Sequence, residues 1–593
     1  MKILTRGLPL LLIAAVGWLG WSALQAKSEL ESARTDLQVV RDALGERDLP
    51  AARAAAKKAA EKTAGARKGT SDPIWRVAGA VPVLGRSLST TTGVAQAADA
   101  LTSKALPGLL DAVEAADPDA LRQADGSIDL QPIADAQPPL REGLKHAEQA
   151  QQDLDSLPES LVAGPVADAR DELQTETDDL VDAVDGALKA TEIAPLVLGQ
   201  DKPRRFFVLV QQNSESRGTG GLPGGFVILE TDKGRLRATA QGSNADLRNE
   251  VIPPPAGVPA DYVQHYTDFG AFGIWQNINV SPNLPVVAQV IADRWRRQSG
   301  QTVDGVIAVD AQSLQDLLRG AGPIPLPNGK ELQPDGIVDY LAVDQYRDFA
   351  PPDGTTGIDR SPERKLVLKR IAEAATQRIV RGGGDNEQLL LGLVDAVTSG
   401  HLRMTSTDPA LGRLLHDAGV DGALPEGDAP VAYPVVFNST GGKLEHWLDR
   451  SVTYTAGPCE GPRRRSTIEV SLTNSAPATG LPRYLTNRID ENGQQSSTTN
   501  ALTLQVYGTR GALLDSAELD GEPISGRVRP GKPFLSQTTE AGLPMWHLRV
   551  ELPLAETRTL TLRLVEPTAK GEPRVPEQPL TRPLQKDVDV PVC

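Results

Sequence analysis

Residues 206–230 read FFVLVQQNSESRGTGGLPGGFVILE. Two β-type runs, FFVLV (206–210) and FVILE (226–230), flank a segment at 211–225 that holds five glycines and a proline. A DKG turn at 232–234 and the alternating run RLRATA (235–240) follow, so the pattern predicts a layer of β-hairpins that begins near Arg204. The glycine-rich segment is no Walker loop, because it lacks the terminal Gly-Lys-Ser/Thr and leads into a strand where that motif needs a helix N-terminus. A dinucleotide fingerprint is excluded as well, since after Gly218 and Gly220 the third glycine position is Pro223. Two readings remain open. Arg217 beside a run of backbone N–H groups can form an anion-binding nest with a guanidinium fork; the other reading is a glycine-rich hairpin connection with a solvated arginine.

Downstream, VDGVIAV (303–309) reads as a strand, and AQSLQDLLRGAG (311–322) as a helix with Leu314, Leu317 and Leu318 on one face. Helices are expected again at 361–381 and 386–399, which makes residues 201–428 a central mixed α/β layer domain. Beyond Ala432 the runs VVF, STIEVSLTN, ALTLQVYG, MWHLRVELP and TLTLRLVEP alternate with period two, as in Trp546, Leu548, Val550 and Leu552. Residues 429–566 therefore read as a C-terminal β-sandwich-like domain. The tail, 567–593, is rich in proline but ends in VDVPVC, which can pair as a terminal strand. Cys459 and Cys593 are the two cysteines of the chain. In an oxidising compartment they would close a loop of about 135 residues, worth on the order of 4–5 kcal/mol by chain entropy; two free thiols are the alternative.

Upstream, Gly7–Ala26 (GLPLLLIAAVGWLGWSALQA) carries no charge and is long enough, at about 30 Å of helix, to span one bilayer. Lys2 and Arg6 before it, and Glu29 and Glu31 after it, place residues 1–6 in the cytoplasm and the rest outside, with Trp18 and Trp21 suited to the outer interface. A cleaved signal peptide is the competing reading. Leu30, Ala33, Leu37, Val40 and Leu44 then recur at three- and four-residue steps, and helical patterns continue near 88–116, 136–156 and 166–192. Residues 27–200 are expected as a helical stalk or bundle, packed as an intramolecular hairpin. The fold class is thus multidomain α+β: a transmembrane helix and helical stalk, a central α/β layer and a β-sandwich.

With 593 residues, more than one structural unit is required. A net charge of −16 argues against non-specific nucleic-acid binding. The six histidines never occur as HxH or HExxH, which removes sequence support for a histidine zinc site, and no GxSxG nucleophile elbow exists. Candidate charged groups are few. Arg360 and Arg364 in DRSPERK lie one helical turn apart behind Asp359 as N-cap, placed either to clamp a phosphate or to form surface ion pairs. Asp246 and Arg248 in GSNADLRN suit a hard cation and an oxyanion, although an Asx-type turn explains Asp246 equally. Arg463–Arg465 reads as a solvated loop or as an anionic glycan contact.

Read in order, FFVLVQQNSESRGTGGLPGGF (206–226), GIWQNINVSPNLP (273–285), VDGVIAVDAQSLQDLLRGAGPI (303–324) and FNSTGGKLEHWLDRSV (437–452) resemble a bacterial envelope family known as domain of unknown function four-thousand-and-twelve. The resemblance spans about residues 195–490, and the anchor with PIWRVAGAVPVLG (73–85) is similar to the layout of that family. VDGVIAVDAQSLQDLLRGAGPIPL, AVDQYRDF (342–349) and DRSPERK (359–365) also resemble segments of LytR-CpsA-Psr phosphotransferases. That second resemblance implies a single-pass protein whose extracytoplasmic domain holds a lipid pyrophosphate-linked glycan and transfers its glycan phosphate with Mg²⁺. Carried over, Arg217 and Asp246 would be catalytic, Arg217, Arg360 and Arg364 would grip the pyrophosphate, and Asp246 would ligate the metal; Arg248, from its place beside Asp246, is expected as a further phosphate contact. The expected function is cell-envelope glycan assembly at the plasma membrane. The alternative is a non-catalytic envelope scaffold, or a module that binds glycan or envelope proteins.

Overall fold

The computed structural model describes residues 4–46, 48–81, 84–115, 121–123, 125–349, 362–381, 385–490, 495–524 and 533–593; the side chains of 4–17 lie outside the described residues. The chain is multidomain α+β and divides into two compact units, Met1–Gln123 with Ile128–Leu196, and Ala124–Ser127 with Val197–Cys593.

The first unit is helical. Helix α1 (Leu4–Gly45) covers the uncharged run and continues through the stalk heptads without a break. Among the described residues no helix is long and apolar enough to cross a membrane, and the anchor expected at 7–26 falls largely on side chains outside them. Helix α2 (Leu49–Gly69) starts at Asp48, whose carboxylate accepts from the Ala51 N–H, with a proline in the first turn. Its buried residues are mainly alanines at three- and four-residue spacing, which lets two helix backbones approach closely. Val40 and Ala43 of α1 pack on Ala52, Ala55 and Ala56 of α2, while Ala26 clusters with Ala66. Ends meet ends in this order only in an antiparallel hairpin, the packing expected from the sequence. Helices α3 (Pro73–Gly79) and α4 (Leu84–Ala100) follow, then Leu106–Ala115, Gln131–Asp155 and Gly164–Val197.

The second unit is built on a five-stranded sheet. Strands β1 (Arg204–Arg217), β2 (Gly220–Asp232) and β3 (Arg235–Ser243) pair antiparallel in sequence. Strand β4 (Gly305–Val309) lies parallel to β1, and Arg403–Ser406 closes the other edge antiparallel to β4. Both faces are covered. On one, Phe207 stacks on Phe226 and Trp275, with Trp295 of helix Leu284–Ser299 set edge-on. On the other, Val210 and Val309 pack on Leu314 and Leu318, and on Val367 and Ile371 of helix Pro362–Arg381.

Residues 429–593 add a six-stranded and a four-stranded sheet that share one apolar cluster. Leu504, Val506, Leu548 and Val550 from the smaller sheet meet Tyr454, Ile468, Leu562 and Leu564 from the larger. The tail is no linker: Leu584–Asp589 runs parallel to Leu448–Ala456, and Cys593 is disulfide-bonded to Cys459. Residues 201–428 and 429–566, read as separate domains from the sequence, lie in the same compact unit.

Candidate functional site

The glycine-rich segment is not a loop. β1 runs on to Arg217 and β2 starts at Gly220, leaving only Gly218 and Thr219 to turn. The glycines are needed for close approach rather than for mobility: a Cβ at Gly221 would sit 2.3 Å from the Gln212 carbonyl carbon, and one at Gly218 2.3 Å from Val280 O. Register passes from Gln212↔Leu222 directly to Ser216↔Gly221, so Asn213, Ser214 and Glu215 form a bulge without partners on β2. A bulge releases side chains from the alternation of the pleat, and all three residues are buried.

Glu215 reaches the Lys443 ammonium, which donates to its carboxylate in a fully interior ion pair. Burial pulls the Lys443 pKa down, and the Glu215 charge more than offsets it, so the net shift is upward. Arg217 turns inward too. Its Nε donates to Gln276 O at 3.0 Å and to Asn277 Oδ1 at 3.2 Å; Nη1 donates to Ser216 O at 2.8 Å and Asn438 O at 3.4 Å; Nη2 lies 3.6 Å from Glu215 Oε1. Glu445 completes the cluster, accepting from Asn438 Nδ2 at 2.8 Å and from the Ser216 N–H at 3.3 Å. Burial pushes its carboxyl up to about 7 against those hydrogen bonds. Gln578, from the tail, donates to Arg217 O and Val436 O, each at 2.7 Å. Arg217 is thus neither a nest for an anion nor a solvated side chain. Its guanidinium is satisfied by backbone carbonyls and a carboxylate of its own chain.

Asn213 points to a second polar group. Its Nδ2 donates to Asp310 Oδ2 and to Pro579 O, each at 2.8 Å, which fixes the amide orientation and leaves Oδ1 without a hydrogen bond from the protein. His401 Nδ1 lies 2.6 Å from the same Asp310 oxygen, while Asp310 also caps helix Ala311–Leu317. Burial lowers the His401 pKa and Asp310 raises it by more, for a net rise. Asn213 and His401 line a small cavity with Gln211, Gln212, Ser214 and Thr581, with about 10 Å³ of space, room for about one water.

The remaining predicted residues lie apart from this cluster. Asp246 ends an exposed turn in which the Ser243 N–H and Oγ donate to its Oδ2 at 2.8 and 3.0 Å, so the Asx-type reading describes it. It borders a cleft of about 340 Å³ with Phe226, Leu366, Leu368 and Lys369, and neither Arg217 nor Arg364 lines that cleft. The Arg248 side chain is exposed, and its backbone accepts from Trp275 Nε1. Arg364 lies over the stacked rings of Tyr346 and Tyr484, at 4.8 and 5.0 Å. Arg360 lies outside the described residues. Among the described residues no group of three or more His, Cys, Asp or Glu side chains is placed to hold a metal, and the carboxylate proposed for Mg²⁺ is engaged in its own turn.

Sequence reading overlooked Asp310, His401, Lys443 and Glu445. Three of them sit inside quoted motifs, VDGVIAVD and FNSTGGKLEHW, where no local pattern sets them apart from their neighbours. His401 carries no local signal, being an isolated histidine that meets Asp310 across 91 residues.

Residues 201–346 match the family described as protein of unknown function (DUF4012). No curated protein matches the chain. The likeness to LytR-CpsA-Psr phosphotransferases is not shown by these comparisons. The matched stretch holds β1 to β4, the bulge and Asp310, so it is this part of the chain that is similar to the DUF4012 family.

Proposed function

We propose that the protein is a single-pass, extracytoplasmic component of the cell envelope that acts as a non-catalytic scaffold or binding module for envelope glycan or protein. Its N-terminus is cytoplasmic, and residues 7–26 anchor it in the plasma membrane. One observation carries the choice of a module over a phosphotransferase. Arg217, on which a pyrophosphate grip depends, spends its guanidinium on Gln276 O, Asn277, Ser216 O, Asn438 O and Glu215. An anion could recruit it only by stripping those partners from a buried site, which costs roughly 1–3 kcal/mol for each group left unsatisfied. Placement outside the cytoplasm is supported by the Cys459–Cys593 disulfide and by the uncharged run behind Lys2 and Arg6.

The test is the thermal midpoint of the full chain in detergent, titrated with a short-chain prenyl pyrophosphate with and without Mg²⁺. A module that does not use this chemistry gives no shift at millimolar ligand. A saturable, Mg²⁺-dependent rise that Asp246→Ala or Arg364→Ala removes would reinstate the phosphotransferase.

A further inference from the structure

We infer that α3 and the residues that follow it to Val81 form a second membrane-contacting element, seated in the outer leaflet of the bilayer beside the anchor. The inference rests on the proposed anchoring of residues 7–26. It starts from two indole hydrogen bonds. Trp18 Nε1 of α1 donates to Asp72 Oδ2 at 2.6 Å, and Trp75 Nε1 of α3 donates back to Ser22 Oγ of α1 at 2.7 Å. The same Asp72 caps α3 by accepting from the Trp75 N–H at 2.9 Å, so helix start and attachment share one carboxylate. Trp75 and Ser22 are buried between the two helices. α3 is therefore fixed at the level of residues 18–22, in the second half of the uncharged run and about 6–12 Å of helix before its end at Ala26.

The outer face of this element is apolar and uncovered. Ile74, Val77 and Val81 are 40, 74 and 45% exposed, beside Trp18 and Trp21 at 42 and 55%. Two charges stand among them: the Asp72 carboxylate, held by Trp18 and the α3 N-terminus, and Arg76, exposed, whose long stem can lie along apolar surface while its head meets lipid phosphate. Paired exposed tryptophans, their ring centroids 5.1 Å apart, suit the boundary between acyl chains and headgroups. If Trp18 and Trp21 sit at that boundary, Val77 must sit there too, because the two hydrogen bonds leave α3 no other depth. Continuity with the anchor selects lipid as the occupant: a short apolar face rimmed by one arginine and tryptophans is the composition of an interfacial element.

The test uses the full chain in phosphatidylcholine–phosphatidylglycerol vesicles that contain brominated lipid. Both cysteines are in the disulfide, so Val77→Cys or Val81→Cys can carry a single environment-sensitive fluorophore. Leu12→Cys, in the uncharged run, reports on the anchor, and Asp42→Cys, exposed near the far end of α1, reports on water. The expected result is blue-shifted emission and strong bromolipid quenching at 77 and 81, comparable to position 12, with none at 42. Quenching at 12 but not at 77 or 81 would overturn the inference while leaving the anchor intact, and would reassign the face to a protein partner. No quenching at 12 would overturn the anchor and this element together.

Discussion

The tip of the β1–β2 hairpin and the paired sheets of residues 429–593 are both made of long antiparallel strands, yet they are buried by opposite rules. In the sheets, Leu548, Val550 and Leu552 face Leu560, Leu562 and Leu564 across one apolar cluster while the residues between them look outward. At the hairpin tip, alternation stops: Asn213 to Gly221 are all buried, and most are polar or charged. An apolar core is non-directional and tolerates substitutions of similar volume. A buried polar cluster tolerates only its own partners, because each group left unpaired carries its full desolvation cost. The difference indicates where the unit keeps stability and where it keeps specificity.

The contrast can be broken from the polar side first. Lys443→Met leaves the Glu215 carboxylate with Arg217 alone, 3.6 Å away, and should cost about 3 kcal/mol in denaturant unfolding, whereas Lys443→Met with Glu215→Leu should recover about half of it, the rest being the carboxylate that Arg217 loses. Recovery of less than a third would mean that the pair is a bystander. On the apolar side, Leu562→Ala should cost about 2–4 kcal/mol, with no partner substitution able to restore it other than one that refills the volume. Acidity sharpens the comparison further. Glu445 binds its proton more tightly folded than unfolded, so its contribution is present at low pH and is lost as pH rises from the ordinary carboxyl value through about 7. His401, also raised, acts in the same direction: its contribution is full below its unfolded value of about 6.5 and fades as pH climbs through the folded one. The thermal midpoint should therefore fall as pH rises between about 4.5 and 7, and Glu445→Gln should flatten that slope; an unchanged slope in the variant would exclude Glu445 as its source. Smallest of all is Arg465→Ala, which removes a solvent-facing pair with Asp515 at 2.9 Å and should leave the midpoint within error.

Much of this was legible in the sequence. Period-two runs located the strands at 463–474, 500–508, 543–552 and 557–567, and the leucine spacing after VDGVIAV located the helix at 311–317. The cysteine pairing was legible as well. What failed is instructive at Gly218–Gly225. Glycine signals both a flexible turn and a point of close backbone contact, and only the neighbours Val280 and Gln212, from another segment and from the facing strand, decide between them. For Arg217 the sequence leaves an anion-binding nest and a solvated side chain both open, and neither holds because its carbonyl partners come from 59 and 221 residues away. Lys443 and Glu215 are separated by 228 residues, beyond the reach of any periodic pattern.

The tail that supplies Gln578 and Pro579 to the hairpin tip also sets an order of events. Gln578 meets Arg217 across 361 residues and Pro579 meets Asn213 across 366. A chain emerging from its N-terminus can pair β1 with β2 early, but it must carry an unfinished charged bulge until Gln578 and Pro579 arrive. Only then can Leu584–Asp589 dock and Cys593 find Cys459. The presence of the segment around Gln578 is thereby registered deep inside the central sheet, so a chain that lacks residues 570–593 would carry that cluster open and be a ready target for quality-control proteolysis.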